Sequence, residues 1–520
     1  MRLLRLKYFH SNKHLSQFSQ RNNYKINLVD SSSQKLAISA WQQGQIVEIS
    51  ITDLTDSGDG VGRYDQKAVF VPDTVPGDRL LARLTRVKPK YAYGKLYQLI
   101  EKSDQRIKPY CIVADKCGGC QWQHISYEYQ LQAKQNQVIQ ALERIGGLKL
   151  PEVEPTLASA SPFGYRNKVT YPLSISSQGE VKVGYYQKGS HKLINLNQCP
   201  IQDQRFNPLL KEIKQDISRR KWKIYDENKH IGILRHLSLR IGEKTGEILL
   251  TLVVNGTQEN LEKLLPGITV QAKKWLEDYS RLVGVCLNYN SKATNTIFGK
   301  QTVCVAGRFY GHEKFNGLEF QFTPDTFFQV NTKTTEKLIE VVLQELALSG
   351  SEIIVDAYCG VGTFSLSVAK YLQQVEISHN DSLEILTGDL SEIRLRKSMV
   401  IGLEVQPVAI QQAKYNAKIN HLTNVRFYDG KVESLLPQLE VKPDVVLLDP
   451  PRKGCDRSVL ETLLKILPER IVYISCKPAT LARDLKFLCS TGKYYLSKVQ
   501  PVDFFPQTAH VECAVFLVKL

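Results

Sequence analysis

Apolar residues in the C-terminal two-fifths of the chain come in short unbroken runs, each closed by a turn. Residues 352–356 (Glu-Ile-Ile-Val-Asp), 400–404 (Val-Ile-Gly-Leu-Glu), 425–428, 445–449 (Val-Val-Leu-Leu-Asp) and 471–475 (Ile-Val-Tyr-Ile-Ser) are runs of this kind. Unbroken runs of this length, rather than alternation, mark strands covered on both faces, as in a parallel sheet. A helical run over 332–346 precedes the first of them, and strand-turn-helix units follow to the C-terminus. The fold class predicted is α/β, a doubly wound Rossmann-like sheet.

The pattern differs upstream. Residues 45–51 alternate at period two, and 67–72, 80–87 and 91–100 read as further strands. Gly58, Gly60, Gly62 and Val75-Pro-Gly-Asp78 supply turn chemistry, so 41–102 is expected to be an OB-like β-barrel of roughly five strands. Residues 126–145 are helix-like, with Tyr129, Ala133, Val138 and Leu142 at near-helical spacing, and Gly146-Gly147 stops them. From 165 to 308 the chain turns strand-rich, with hairpin-like pairs 168–175 with 181–186 and 237–242 with 247–254. The expected organisation is a basic disordered extension (1–40), the barrel (41–102), a central strand-rich domain (103–315) and the α/β domain (316–520). A polar, partly acidic insertion over 374–397 is expected to form a surface loop that spares the sheet.

Composition sharpens this picture in three respects. A length of 520 residues suits about three domains. The net charge of +16 favours a polyanionic partner such as RNA. Arg83, Arg86, Lys88, Lys90 and Lys95 interleave with Tyr91, Tyr93 and Tyr97 on the last two barrel strands, which suits phosphate contact plus base stacking. The plain alternative is that strands favour tyrosine. No run of ~18 apolar residues predicts a membrane span. The eleven unevenly spaced cysteines fit a reducing, cytoplasmic compartment, not a disulfide framework. A plastid or mitochondrion is the alternative if the acid-poor first 40 residues are a transit peptide. A monomer is expected, although oligomeric state leaves no signature.

Four constellations carry chemistry. Cys111-x5-Cys117-Gly-Gly-Cys120 is a metal or cluster cradle whose spacing does not choose between zinc and iron–sulfur. Cys199 is the next cysteine and the candidate fourth ligand, with His124 as its rival. Asp356-x3-Gly360-x-Gly362 joins a strand to a helix beginning near Thr363 and lacks the third glycine of the dinucleotide fingerprint, which fits S-adenosylmethionine. Glu404 ends the next strand, where an acid can accept ribose hydroxyls. Asp389 is the rival at closer spacing. Asp449 ends an apolar strand before a double proline that cannot continue a ladder. Cys476 follows another strand end. A thiolate there could add to carbon 6 of a uracil ring, and Glu512 is the acid in a strand context that could take the carbon 5 proton. Cys476 as a small buried hydrophobe and Glu512 as an edge salt-bridge partner are the plain alternatives.

Together these stretches resemble the RNA uracil-5-methyltransferases, specifically the 23S ribosomal RNA branch with an N-terminal TRAM barrel and a four-cysteine iron–sulfur cluster. The resemblance spans about 41–520. It rests on Cys111-x5-Cys-Gly-Gly-Cys120-x-x-Gln-His124, Tyr165-Arg-Asn-Lys168, Phe327-Phe-Gln-Val-Asn331, Asp356-x-Tyr-Cys-Gly-Val-Gly362, Leu448-Asp-Pro-Pro-Arg452, Ile474-Ser-Cys476 and Phe505-Pro-Gln-Thr-x-His-Val-Glu512. It implies that Cys111, Cys117, Cys120 and Cys199 hold a [4Fe–4S] cluster. It implies that Gln329, Tyr358, Glu404 and Asp449 contact S-adenosylmethionine, with Cys476 the nucleophile and Glu512 the base. Asp356 is carried as a turn residue, not a ligand. The expected activity is methyl transfer to carbon 5 of a uridine in structured RNA, 23S ribosomal RNA before transfer RNA. A base-nitrogen methyltransferase and a non-enzymatic RNA-binding iron–sulfur protein are the competing readings.

Overall fold

The computed structural model describes residues 41–149, 152–258, 261–387 and 398–520. Asp389, the rest of 388–397 and the first 40 residues lie outside them. From Gln43 onward the chain packs as one unit.

Five strands, β1 (Ile46–Leu54), β2 (Gly60–Tyr64), β3 (Lys67–Val71), β4 (Arg79–Val87) and β5 (Tyr91–Glu101), close into a barrel of order β1-β2-β3-β5-β4. Period-two alternation sends Val47, Ile49 and Ile51 inward and leaves Glu48 and Ser50 in water. The glycines at 60 and 62, taken from sequence as turn residues, are inside β2. A Cβ at Gly60 would stand 2.0 Å from Thr74 Oγ1, and one at Gly62 would stand 2.8 Å from the Ser50 carbonyl. Close approach, not turning, requires glycine there.

The central sheet comprises β6 (Lys168–Ile175), β7 (Val181–Tyr186), β8 (Leu193–Asn195), β9 (Leu234–Ile241), β10 (Ile248–Val254), β11 (Leu282–Tyr289) and β12 (Gln301–Gly307), in the order β12-β11-β10-β9-β6-β7-β8. Two helices that the strand-rich reading omitted, Phe206–Arg219 and Ile268–Asp278, bring Leu210, Ile213 and Trp275 into one core with Leu239, Leu250 and Leu287. The alternate strand residues Thr170, Ser238, Thr251 and Cys286 therefore belong to the other face. A hairpin, β13 (Gly311–Phe315) and β14 (Leu318–Phe322), leads into the helix Thr332–Leu346.

The last sheet has β15 (Ile353–Ala357), β16 (Met399–Glu404), β17 (Val425–Asp429), β18 (Val445–Leu448), β19 (Arg470–Ser475), β20 (Tyr494–Val502) and β21 (Glu512–Lys519), in the order β17-β16-β15-β18-β19-β21-β20. The first five are parallel, and β21 runs antiparallel between β19 and β20. Order reverses between β15 and β18, which creates a crevice at the strands' carboxyl ends. The insertion corrects one expectation. The helix that begins at Thr363 continues to Thr387, so its first part is helix rather than loop. Residues 375–387 include Val, Glu, Ile and Leu at several positions and no Gly or Pro to stop it. Register across β15 and β16 is unbroken, so the sheet is spared as expected.

A strip from before the central sheet packs on this last sheet. The helix Tyr127–Ala141 and the π-helical turn Leu142–Gly146 bring Val138 and Leu142 into one core with Val355, Tyr473 and Val499. Val153 then bridges Val499, and Leu157 bridges Val502, both in parallel. No helix among the described residues is long and apolar enough to cross a membrane.

Candidate active site and thiol pocket

The crevice is built at strand ends. Tyr358, the first residue after β15, adopts a left-handed φ of 70°, and its backbone N–H donates to the Leu403 carbonyl at 2.9 Å. Cys359 N–H bonds the same carbonyl at 3.0 Å, and Gly360 and Gly362 are also left-handed. This tight turn points backbone donors toward the end of β16. Glu404 accepts there from Gly360 N–H at 3.3 Å and from Gln406 N–H at 2.9 Å. Asp449 follows β18, and its N–H reaches the Ala357 carbonyl at 3.3 Å. Tyr358, Glu404 and Asp449 are thus brought to one crevice. Gln329 lies outside that cluster, on the segment between β14 and the helix Thr332–Leu346. Asn167 Nδ2 holds its carbonyl at 3.0 Å.

Asp356, expected to be a turn residue, lies inside β15. It is a buried carboxyl bonded by the Ser365 hydroxyl. Burial pushes it up to about 7, against the Ser365 hydrogen bonds, with Glu404 adding to the rise. The acid can therefore stay neutral at the base of the turn. Its spacing to Ser365 was the available signal.

Cys476 and Glu512 lie at the matching ends of β19 and β21. The last registered pair is Ser475–Cys513, and each of the two is one residue further on. Burial raises the Cys476 thiol, Glu512 and Asp449 add to the rise, and Arg452 opposes it. Burial pushes Glu512 up to about 7, again opposed by Arg452. Asp449 is pushed well above the carboxylate range by burial, then by Glu512 and Asp356. Two acids and a thiol share one recess with one guanidinium, so charge on any of them is felt by the rest. Arg452, in the Leu448-Asp-Pro-Pro-Arg452 stretch, is the cation of this recess. His510 is lowered by burial, then by Arg452, Lys134 and Arg166.

The segment carrying Glu512 is clamped from far away in sequence. Lys134 Nζ meets Asp503 Oδ1 at 2.5 Å and the Phe505 carbonyl at 3.1 Å, and both ionic side chains are fully buried. Gln130 and Gln507 bond reciprocally: Gln507 N–H donates to Gln130 Oε1 at 3.0 Å, and Gln130 Nε2 donates to Gln507 Oε1 at 3.2 Å. Tyr165 Oη donates to the Pro506 carbonyl at 3.1 Å, and Trp122 N–H to the Gln507 carbonyl at 3.0 Å. No local pattern in the sequence announces these partners.

Cys111, Cys117, Cys120 and Cys199 line one pocket with about 340 Å³ of empty space including its open mouth, together with Gln123, Tyr185 and Ile201. His124, the rival fourth ligand, is instead buried against the Thr74 carbonyl at 3.4 Å and lowered to about 4, chiefly by burial. Burial pushes Cys120 up to about 12 and Cys199 to about 11, and neighbouring thiols add to both. Among the described residues no three His, Cys, Asp or Glu side chains stand in a metal-coordinating arrangement. An all-sulfur donor set in a weakly polar pocket does fit a soft metal or an iron–sulfur group.

Comparison with known proteins agrees with this geometry. A family model described as tRNA (Uracil-5-)-methyltransferase matches residues 126–520, and a TRAM domain model matches 40–97. Over 480 residues the chain is 58% identical to an RNA methyltransferase of Nostoc sp., covering 92% of this chain and 98% of that one. It is 37% identical to an RNA methyltransferase of Halalkalibacterium halodurans, covering 91% and 97%. Among solved structures it is similar to the Pyrococcus abyssi tRNA (uracil-54, C5)-methyltransferase in complex with S-adenosyl-L-homocysteine, with a TM-score of 0.68, 26% identity and coverage of 91% and 100%. The chain belongs to the family of S-adenosylmethionine-dependent RNA uracil-5-methyltransferases that carry a TRAM domain.

Proposed function

We propose that this enzyme methylates carbon 5 of a uridine in 23S ribosomal RNA through a covalent adduct between Cys476 and the uracil ring. The observation that carries the reading is the Cys476–Glu512 pairing at the ends of β19 and β21, beside Asp449 and Arg452. S-Adenosylmethionine supplies an electrophilic methyl group on its sulfonium sulfur. Carbon 5 of uracil is a weak nucleophile on its own. Cys476 adds to carbon 6 and drives electron density onto carbon 5, which then takes the methyl. Glu512 removes the carbon 5 proton, and the thiolate leaves carbon 6 as the double bond re-forms. Arg452 offers a counter-charge to the thiolate and the carboxylate. The ring must leave the base stack to present its face to the thiol.

Tyr358, Glu404, Asp449 and Gln329 hold the methyl donor in this reading. Glu404 has one oxygen toward the glycine turn and sits where ribose hydroxyls are received in such folds. Cys111, Cys117, Cys120 and Cys199 hold a [4Fe–4S] cluster that shapes the RNA-facing surface and takes no part in methyl transfer. The domain plan is an extension (1–40), the barrel (41–102), a central iron–sulfur and RNA-binding domain (103–315) and the transferase domain (316–520). The enzyme works as a monomer in the cytoplasm.

Support for ribosomal RNA comes from the cysteine motif's resemblance to that branch. The similarity to a tRNA methyltransferase of Pyrococcus abyssi favours the transfer RNA T-loop as the second reading. Unmodified ribosomal and transfer RNA, incubated separately with S-adenosylmethionine and enzyme and digested to nucleosides for mass spectrometry, decide between them. 5-Methyluridine in the ribosomal pool is expected. Its appearance only in transfer RNA moves the target, and methylation of another base overturns the chemistry.

A further inference from the structure

The methyl-transfer reading uses one thiol and the pocket uses four, which leaves Cys286 and Cys304 in the central sheet. Cys286 on β11 is directly opposite Cys304 on β12 in the antiparallel register, just past a bulge after Val285. Directly opposed residues point to the same face, with Cα atoms about 4.5–5.5 Å apart. A disulfide needs Cα atoms about 4.4–6.8 Å apart. We propose that Cys286 and Cys304 form a cross-strand dithiol that a hydroperoxide closes to a reversible disulfide.

The two thiols differ in the way such a pair requires. Cys304 is exposed on β12, the last strand of the sheet, whereas Cys286 is completely buried. The Cys304 thiol donates to the Ala306 carbonyl at 3.4 Å and the Gly307 carbonyl at 3.5 Å. The neighbouring Cys286 thiol lowers it to about 7, with burial opposing. Cys286 is raised by its Cys304 neighbour, then by burial and by Asp325. Of the other cysteines, those with a shifted thiol are all shifted upward. A low, accessible thiol attacks peroxide, and a protected neighbour resolves the product.

The chemistry balances with the hydroperoxide as the named oxidant. Cys304 sulfur attacks the terminal oxygen of the hydroperoxide, the O–O bond breaks, and the other oxygen leaves as hydroxide from hydrogen peroxide (alkoxide from an organic hydroperoxide) and is protonated. Cys304 is then a sulfenic acid. Cys286 sulfur attacks it, the S–O bond breaks, the S–S bond forms, and water leaves carrying the Cys286 proton. Two thiols lose two electrons, and the peroxide gains them.

The location connects the pair to the segment that carries Gln329. Thr302, two residues before Cys304, is bonded by Asn288 Nδ2 at 2.8 Å and itself bonds the Asp325 carboxylate. Asp325 begins the short segment that reaches Gln329. A covalent tie between β11 and β12 therefore stiffens the anchor of that segment.

The test uses the full-length protein, reduced, desalted and exposed to hydrogen peroxide. It is then alkylated and digested without reductant for mass spectrometry. The expected product is a linked pair of the Cys286 and Cys304 peptides, lighter by two hydrogen atoms than the free peptides together and absent after dithiothreitol is added. Cys304→Ser, at an exposed position, should leave Cys286 reduced. Cys286→Ala should leave Cys304 as a sulfenic acid that a 1,3-diketone traps, and circular dichroism checks that this variant is folded. Methyl transfer by reduced Cys304→Ser should equal that of the parent. Trapping of Cys304 sulfenic acid in the parent at the level of Cys286→Ala, or a link from Cys304 to any other thiol, overturns the proposal.

Discussion

Replacing Lys134 by methionine tests whether a fully buried ion pair anchors the Glu512 segment. Methionine keeps the apolar stem, so little cavity forms, and the charged head with its two hydrogen bonds is removed. Those bonds run to Asp503 Oδ1 at 2.5 Å and to the Phe505 carbonyl at 3.1 Å, with no solvent on either ionic side chain. Burial lowers Lys134 from its ordinary value and Asp503 opposes that, so the pair is held by contact and not by solvation. Removing one partner of a buried pair leaves the other charge uncompensated and costs ~3–5 kcal/mol. The two hydrogen bonds give a consistent figure, since one to a charged group is worth about 1.5–3 kcal/mol. Lys134→Met should therefore be less stable by about 3–4 kcal/mol in urea unfolding of the full chain. Adding Asp503→Asn should recover at least ~2 kcal/mol, because the orphaned buried charge is gone. A destabilisation below ~1 kcal/mol for Lys134→Met, or no recovery in the double variant, would refute the reasoning.

Other outcomes follow from the site and the barrel. Cys476→Ala should abolish both turnover and the covalent adduct with 5-fluorouridine RNA, read on a denaturing gel. Glu512, raised to about 7, is protonated and unable to accept a proton below that pH. The single-turnover rate should rise through about pH 7 as Glu512 ionises and go on climbing above it because the Cys476 thiol is raised as well, and Glu512→Gln should be slow with the limb near pH 7 missing. Arg83 stacks over the Tyr97 ring at 4.8 Å. Arg83→Ala with Lys95→Ala should weaken RNA binding and flatten its salt dependence, seen in filter binding at several salt concentrations. The slope should fall by roughly 0.7–0.9 for each phosphate no longer neutralised. Gly60→Ala puts a Cβ 2.0 Å from Thr74 Oγ1 and should cost the barrel ~1–3 kcal/mol, measured by thermal unfolding.

Where the sequence was legible, burial had written its own period. The helix Thr332–Leu346 and the strands ending in Glu404 and Ser475 are found where unbroken apolar runs and their turns put them. Cys476 was readable because a strand end, a lysine and a proline flank it. Gly60 misled because glycine serves turns and close strand approach alike, and only Thr74, just past the end of the neighbouring strand β3, tells them apart. The partnership of Lys134 with Asp503 spans 369 positions, and neither residue has a local pattern that separates it from a surface charge. The Cys286–Cys304 pair depends on strand register, which a bulge after Val285 shifts by one residue. Helix continuation through Thr387 was hidden by a polar composition that suits an exposed helix as well as a loop.

The strip that runs from the helix Tyr127–Ala141 to Leu157 has a consequence for how the chain reaches its native state. Its partners Val499 and Val502 are more than three hundred residues downstream, and the whole central sheet is threaded between them. Closing so long a loop is entropically costly before any interaction rewards it, so docking of the strip belongs late in folding. A fragment beginning at residue 316 would leave the Val355, Tyr473 and Val499 surface bare where Val138 and Leu142 should cover it. Such a fragment is expected to be sticky and slow to fold. The barrel and the central sheet can be exchanged between relatives as whole pieces only if this strip travels with the catalytic sheet.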